Sequence, residues 1–248
     1  MAISDNILKV EIPDIRLDDL HLSKENKSAL DQLLKEFKHI DILSKYGLAV
    51  DNKIFLFGHT GCGKTTTAKV IAKELNKKLI ILNLGNIVSS KLGETSKNIS
   101  EVFHKAIRED AVLFLDEFDS IGKLRDHDDK DSAEMKRLVN TVIQLIDGLP
   151  NNVLFIAATN HSKVIDTALL RRFQLKLEFV LPTEIQLDDY YDSLLISFPK
   201  EFKKVSRKYG ISYAEAKDLT FRSVKNAIIE TLEKEKSSQD ELMVQGLK

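Results

Sequence analysis

The 248-residue sequence contains a single cysteine, Cys62. No disulfide can close within the chain, which fits a reducing compartment. Neither sign of charge is in excess: 37 Lys and Arg stand against 38 Asp and Glu, for a formal net charge of −1. That balance removes any general electrostatic reason to bind nucleic acid or an anionic membrane. A long hydrophobic run is also missing. No stretch of about 18 apolar residues occurs, so no transmembrane helix is expected. The opening stretch MAISDNILKVEIPDIRLDD acquires acids early and lacks the apolar centre of a secretory signal. Internal repeats and low-complexity tracts are absent. These absences lead us to expect a cytoplasmic protein that engages no membrane and for which nucleic acid is a disfavoured partner, local basic patches staying open.

What is present is an ordinary globular composition, 43% hydrophobic and 30% charged. Residues 1–19 read as an extended segment interrupted by Pro13, and 27–40 carry a helical stripe through Leu30, Leu33, Leu34, Phe37 and Ile40. From residue 53 onward, short apolar runs alternate with helical patterns. KIFLF (53–57), KLIIL (78–82), AVLFL (111–115), NVLFIAA (152–158) and LKLEFVL (175–181) read as buried strands. The segments 64–75, 95–107 and 132–146 between them read as helices. Continuous apolar strands separated by helices imply a mostly parallel sheet covered on both faces. After residue 182 no strong strand remains. Tyr190, Leu194, Leu195 and Phe198 mark one helix, and Leu219, Val224, Ile228, Ile229 and Leu232 another. We expect an α/β domain over 1–182 and a small helical domain with a charged tail over 183–248.

GHTGCGKT, Gly58 to Thr65, follows the KIFLF strand and opens a helix. It fits the phosphate-binding loop pattern G-x-x-x-x-G-K-[ST] in its required context. Glycines let the backbone curl so that its N–H groups face phosphate oxygens, and the helix N-terminus adds its positive dipole end. The candidate nucleotide-binding residues are Gly58, His59, Thr60, Gly61, Cys62, Gly63, Lys64, Thr65 and Thr66, together with Asp116. Lys64 can reach the β- and γ-phosphates. The Thr65 hydroxyl and the Asp116 carboxylate can ligate Mg²⁺. Cys62 stands at a helix N-terminus, where a thiolate is stabilised; it reads as a small loop residue sooner than a redox-sensitive one, and His59 reads as a loop residue with no catalytic part.

LFLDEFD (113–119) brings Asp116 and Glu117 out at the C-terminal end of a buried strand, the edge at which open α/β sheets bind ligands. Glu117 can polarise water as a general base. Asp119 and the run RDHDDKD (125–131) read as a solvated loop. FIAATN (155–160) ends another buried run in an amide. Asn160 either holds the attacking water opposite Glu117 or caps the following turn. ALLRRF (168–173) sets Arg171 and Arg172 side by side. Two adjacent fixed charges call for an anion in front of them.

GHTGCGKT, LFLDEFD, AATN and ALLRRF together resemble, in order, the motifs of the AAA family of ATPases, and the resemblance covers roughly residues 20–235. It implies a P-loop fold, with a five-stranded parallel sheet flanked by helices and a small C-terminal helical lid. It further implies ATP and Mg²⁺ as ligands, ATP hydrolysis, and a homo-oligomeric, usually hexameric, ring. Asn160 becomes the sensor-1 residue. Arg171 and Arg172 become arginine fingers that touch the γ-phosphate held by the neighbouring subunit, so Glu117, Asn160, Arg171 and Arg172 form the catalytic set. The RRF spelling is similar to that of the microtubule-severing subgroup (katanin, spastin).

Ring ATPases of this kind often grip polypeptide with an aromatic residue two places before a glycine. Here SSKLGETSK (89–97) offers Lys91 and Leu92 before Gly93. A lysine stem can pack while its head stays wet. The sequence before the phosphate loop leaves no room for a separate substrate-binding domain, so specificity is expected from a partner, the N-terminal segment or the ring surface. In the helical lid, Arg222 and Lys225 are both candidates for a second sensor. The motif set is also similar to small bacterial AAA proteins, some found beside a subtilisin-like protease. Three functions follow: an ATP-driven remodeller of a protein partner, an ATP-gated switch on a partner such as that protease, and a DNA-associated loader, which the charge balance disfavours.

Overall fold

The computed structural model describes residues 8–15, 17, 20–88, 92–123 and 129–245. The trace divides into two compact units, Met1–Val180 and Leu181–Lys248.

In the first unit, strand β1 (Leu8–Glu11) is followed by α1 (Lys24–Lys38) and α2 (Ile40–Lys45). Helix α1 starts where the Ser23 hydroxyl accepts from the Asn26 backbone N–H, and it buries Leu30, Leu33 and Phe37. Next come β2 (Lys53–Gly58), α3 (Lys64–Glu74), β3 (Leu79–Asn83), α4 (Leu84–Val88) and α5 (Leu92–Arg108). The unit continues through β4 (Val112–Asp116), α6 (Ser120–Lys123), α7 (Asp129–Asp147), β5 (Phe155–Thr159), α8 (Thr167–Leu170) and β6 (Leu175–Phe179). The strands pair in the order β1-β3-β4-β5-β2-β6. Strands β2 to β6 are mutually parallel. Every residue of β5 is buried, and so are the first four of β4. That is why these strands read as unbroken apolar runs rather than alternating ones. Ile99, Val102, Phe103 and Ala106 of α5 and Leu138, Val142 and Ile146 of α7 present helical stripes to the same core.

The sheet has six strands where five were expected. The extra one is β1, which pairs antiparallel with β3 from Leu8↔Leu82 to Glu11↔Leu79. Its LKVE sequence is half polar because it lies on the sheet edge, and Glu11 is held by Lys69 of α3 at 3.0 Å.

The strand order places β2 between β5 and β6, although the next strand in sequence, β3, lies beyond both β5 and β4. The C-terminal ends of β2, β5 and β4 therefore line one crevice. They deliver the phosphate loop, Asn160 and Asp116–Glu117 to a single sheet edge.

The second unit contains α9 (Glu184–Leu195) and α10 (Tyr213–Gln245). Helix α9 opens with a reciprocal capping box between Thr183 and Gln186. At the start of α10 the Glu215 carboxylate accepts from the Ser212 N–H at 2.8 Å. Leu187, Tyr191 and Ala216 form the small core. The charged tail extends α10 as far as Gln245. Arg222 and Lys225 are both exposed on that helix. Among the described residues, no helix is long and apolar enough to cross a membrane.

Candidate functional site

The loop from Gly58 to Gly63 owes its shape to three glycines in the left-handed region: Gly58 at φ 118°, Gly61 at 71° and Gly63 at 104°. Gly58 is fixed for a packing reason. A Cβ there would run into the backbone carbonyl of Phe179 on β6, whose oxygen also accepts from the His59 N–H at 2.7 Å. Gly63 is the N-cap of α3 and leaves the helix start without a side-chain cap. Its first amide groups are thereby available to an anion. Cys62 is buried, with its sulfur 3.6 Å from the Thr60 carbonyl, while His59 and Thr60 are exposed. Thr66 is half-buried on the first turn of α3.

Lys64 is 8% exposed, and its ammonium donates to the carbonyls of Gly58 at 2.9 Å and His59 at 2.7 Å. Burial holds it below the usual lysine range, against the pull of Asp116. The Thr65 hydroxyl donates to Asp116 Oδ2 at 3.3 Å. Burial holds the Asp116 carboxyl above its ordinary range, despite hydrogen bonds from the Glu117 N–H and Thr65. A buried lysine and a half-buried carboxyl, each biased toward its neutral form, meet at the head of α3. The expected lysine, threonine and aspartate are thus brought together. Two oxygen donors this close suit a hard cation that takes its remaining ligands from water and phosphate. Among the described residues no group of three or more His, Cys, Asp or Glu could hold a metal by itself.

Glu117 is exposed and sits in the left-handed region at φ 54°. Such a conformation costs of order 1–3 kcal/mol for a residue with a side chain and persists only where the surroundings impose it. Its carboxylate lies over the start of α4, where a Cβ on Gly85 would run into Glu117 Oε2. Asn83, opposite Asp116 in the β3–β4 register, flanks that spot.

Asp119 does not behave as the solvated acid expected of it. It is 3% exposed, and its Oδ1 accepts from the Thr159 hydroxyl at 2.7 Å. Sequence reasoning missed both residues. The available signal was a third acid directly after Phe118, a side chain that the core takes in completely. Of the run 125–131, residues 125–128 lie outside the described residues and 129–131 begin α7. Asn160 stands exposed just past β5. It does not cap the next turn, because the short 3-10 helix Ser162–Val164 has His161 at its N-cap position.

The two arginines follow α8, and the structure distinguishes them. Arg172 is bidentate to Asp147 at 3.3 and 3.4 Å and donates to the Ala168 carbonyl at 2.9 Å. Arg171 is exposed, with no ion pair among the described residues. No hydrogen bond or ion pair among the described residues joins either arginine to the phosphate loop. Phe173, next in sequence, is buried against Phe118 at 5.9 Å, edge to face, and against Phe55 at 5.1 Å. The arginine turn and the acidic turn therefore share one aromatic anchor. Lys91 lies outside the described residues, and Leu92 is the first residue of α5.

Comparison with known proteins gives a consistent result. Residues 54–181 match the family described as "ATPase family associated with various cellular activities (AAA)". An uncharacterized AAA family ATPase of Sinorhizobium fredii (strain NBRC 101917 / NGR234) is 34% identical over 232 residues, covering 92% of this chain and 70% of that protein. A Plasmodium falciparum (isolate 3D7) protein named for a cell division cycle ATPase is 35% identical over 178 residues. That match covers 69% of this chain but only 14% of the relative.

Proposed function

We propose, from the premise that the chain belongs to the AAA family of ATPases, that it captures and hydrolyses ATP as a ring and uses the cycle to remodel or regulate a protein partner. The observation that carries this reading is the meeting of buried Lys64 with the Thr65–Asp116 pair at the head of α3. Lys64 is exchanged from the loop carbonyls onto phosphate oxygens, where its charge is stabilised rather than strained. Thr65 and Asp116 would hold Mg²⁺, which offsets the charge of the phosphates. Glu117 accepts a proton from the attacking water, and Asn160 orients that water. The unit from 181 onward acts as the helical lid.

Arg171 and Arg172 serve the ATP of the neighbouring subunit. The exposed Arg171 reaches outward, and Arg172, fixed by Asp147, holds the turn that presents it. A supplied arginine of this kind is worth about 10³ to 10⁵ in rate in related enzymes. Lys91 and Leu92 are the residues that would meet the substrate. A lysine in place of an aromatic grip favours a second reading, in which ATP binding gates a partner and hydrolysis times the release.

Phosphate release measured beside sedimentation velocity tests the activity. Wild type should turn over ATP in a Mg²⁺-dependent way. Glu117→Gln should bind ATP, assemble and lose turnover, and Lys64→Ala should bind ATP poorly. Near-wild-type turnover by Glu117→Gln would remove Glu117 from the chemistry. Co-purification with the Glu117→Gln trap then identifies the partner.

A further inference from the structure

The left-handed backbone of Glu117 needs a restraint, and the turn after β4 shows where it lies. The Phe118 N–H donates to the Ala158 carbonyl at 2.8 Å, and the Ser120 N–H donates to the Glu117 carbonyl at 2.8 Å. The third restraint is a side chain. Thr159, 1% exposed at the end of β5, donates its hydroxyl to Asp119 Oδ1 at 2.7 Å. The Thr159 hydroxyl oxygen in turn accepts from the His161 N–H at 2.9 Å. A carboxylate can only accept and a backbone N–H can only donate, so the hydroxyl is oriented in one sense. One buried group thus bridges two turns. The first carries Glu117, two residues before Asp119. The second carries Asn160, between Thr159 and His161.

We propose that Thr159 is a positioning residue for ATP hydrolysis: through Asp119 and the His161 N–H, its hydroxyl sets the orientation of Glu117 relative to Asn160. The inference rests on the activity assigned above to Glu117 and Asn160. Neither Thr159 nor Asp119 touches the reacting atoms. They act by fixing two side chains that must address one water molecule, and misplacement by about 1 Å can cost about 10²-fold in rate. A buried Thr–Asp pair that only satisfied its own polar atoms would affect stability alone, and the two roles separate experimentally.

Thr159→Val keeps the shape and removes the hydroxyl, whereas Thr159→Ser keeps the hydroxyl. For the folded fraction, Thr159→Val should lower kcat roughly 10- to 100-fold while the dissociation constant for ATP stays unchanged. Thr159→Ser should restore kcat to within about twofold of wild type, on the same positional argument. If Thr159→Val does not fold, Asp119→Ala, which removes the acceptor of the 2.7 Å bond, carries the same test from the other end, with the same split between kcat and affinity. Hydrogen exchange on the nucleotide-free protein needs no turnover. Thr159→Val should lose amide protection in 117–121 and 159–161 together. Wild-type kcat in Thr159→Val or Asp119→Ala, or protection lost in only one of the two turns, would overturn the proposal. A wild-type protein that binds ATP without hydrolysing it would instead defeat the activity reading, and the exchange experiment would still decide the bridge.

Discussion

The phosphate loop and the Asp188–Arg207 cluster of the helical unit treat their charges in opposite ways. Lys64 and Asp116 are both pushed toward their neutral forms, and burial is the leading cause for each. Asp188 and Arg207 are both pushed toward their charged forms, and the hydrogen bond between them is the leading cause. Arg207 donates to Asp188 at 2.6 Å and also to Asp192, and Tyr209 donates to Asp188 at 2.9 Å. A charge in an unfavourable place is stabilised by whatever opposite charge arrives, whereas a charge already paired gains little from a ligand. The first cluster is arranged for something added from outside, and the second for the fold itself.

Removing one cation from each cluster gives the largest contrast. Lys64→Ala should weaken ATP binding by roughly 10²-fold or more, since hydrogen bonds to a charged group contribute about 1.5–3 kcal/mol each. Arg207→Ala should leave ATP affinity unchanged in the same fluorescent-nucleotide titration. Equal losses in both variants would break the comparison.

Gly85→Ala gives a smaller effect within the α/β unit. The added methyl occupies the space of Glu117 Oε2. It should lower kcat roughly tenfold through misplacement, with ATP affinity intact. A steady-state and binding pair of measurements separates the two. Wild-type kcat would mean that the carboxylate works from another position.

The pH dependence should split in the same way. Asp116 must be ionised to hold a cation, and its pKa is raised. Turnover should therefore fall on the acid side at a pH above the ordinary carboxylate range of about 3.9. Asp188 is depressed below its ordinary value. Its contribution to stability is present above the unfolded value of about 3.9 and is lost as pH falls through the lower folded value. Asp188→Asn should reduce that low-pH loss of stability in thermal melts and leave the acid limb of turnover where it was. The effect on melting temperature at neutral pH should be small, because exposed ion pairs contribute little.

Much of the site was legible because its logic is local. Strand, glycine loop and helix adjoin in GHTGCGKT, and Asp116 closes an apolar run, so spacing alone placed them. The parallel strands were legible because burial on both faces leaves unbroken apolar runs. The parts that were missed depend on distant partners. Strand β1 is a strand only because it meets β3 across the Leu8↔Leu82 pairing. Asp119 looks like surface until Thr159, 40 residues away, takes its carboxylate inside. The two arginines are equivalent in sequence until Asp147 binds one of them. No local pattern encodes such contacts.

The proposed function sets Arg171 against the ATP of a neighbouring copy, and subunit mixing tests that directly. Lys64→Ala subunits hold ATP poorly but still present Arg171. Arg171→Ala subunits hold ATP but lack the exposed arginine. Each should be nearly inactive alone. Combined in rings shown by mass to contain both, they should regain ATPase activity, because an intact Lys64 loop then faces an intact Arg171. Mixed rings that remain inactive would contradict the account and leave Arg171 without a role across the interface.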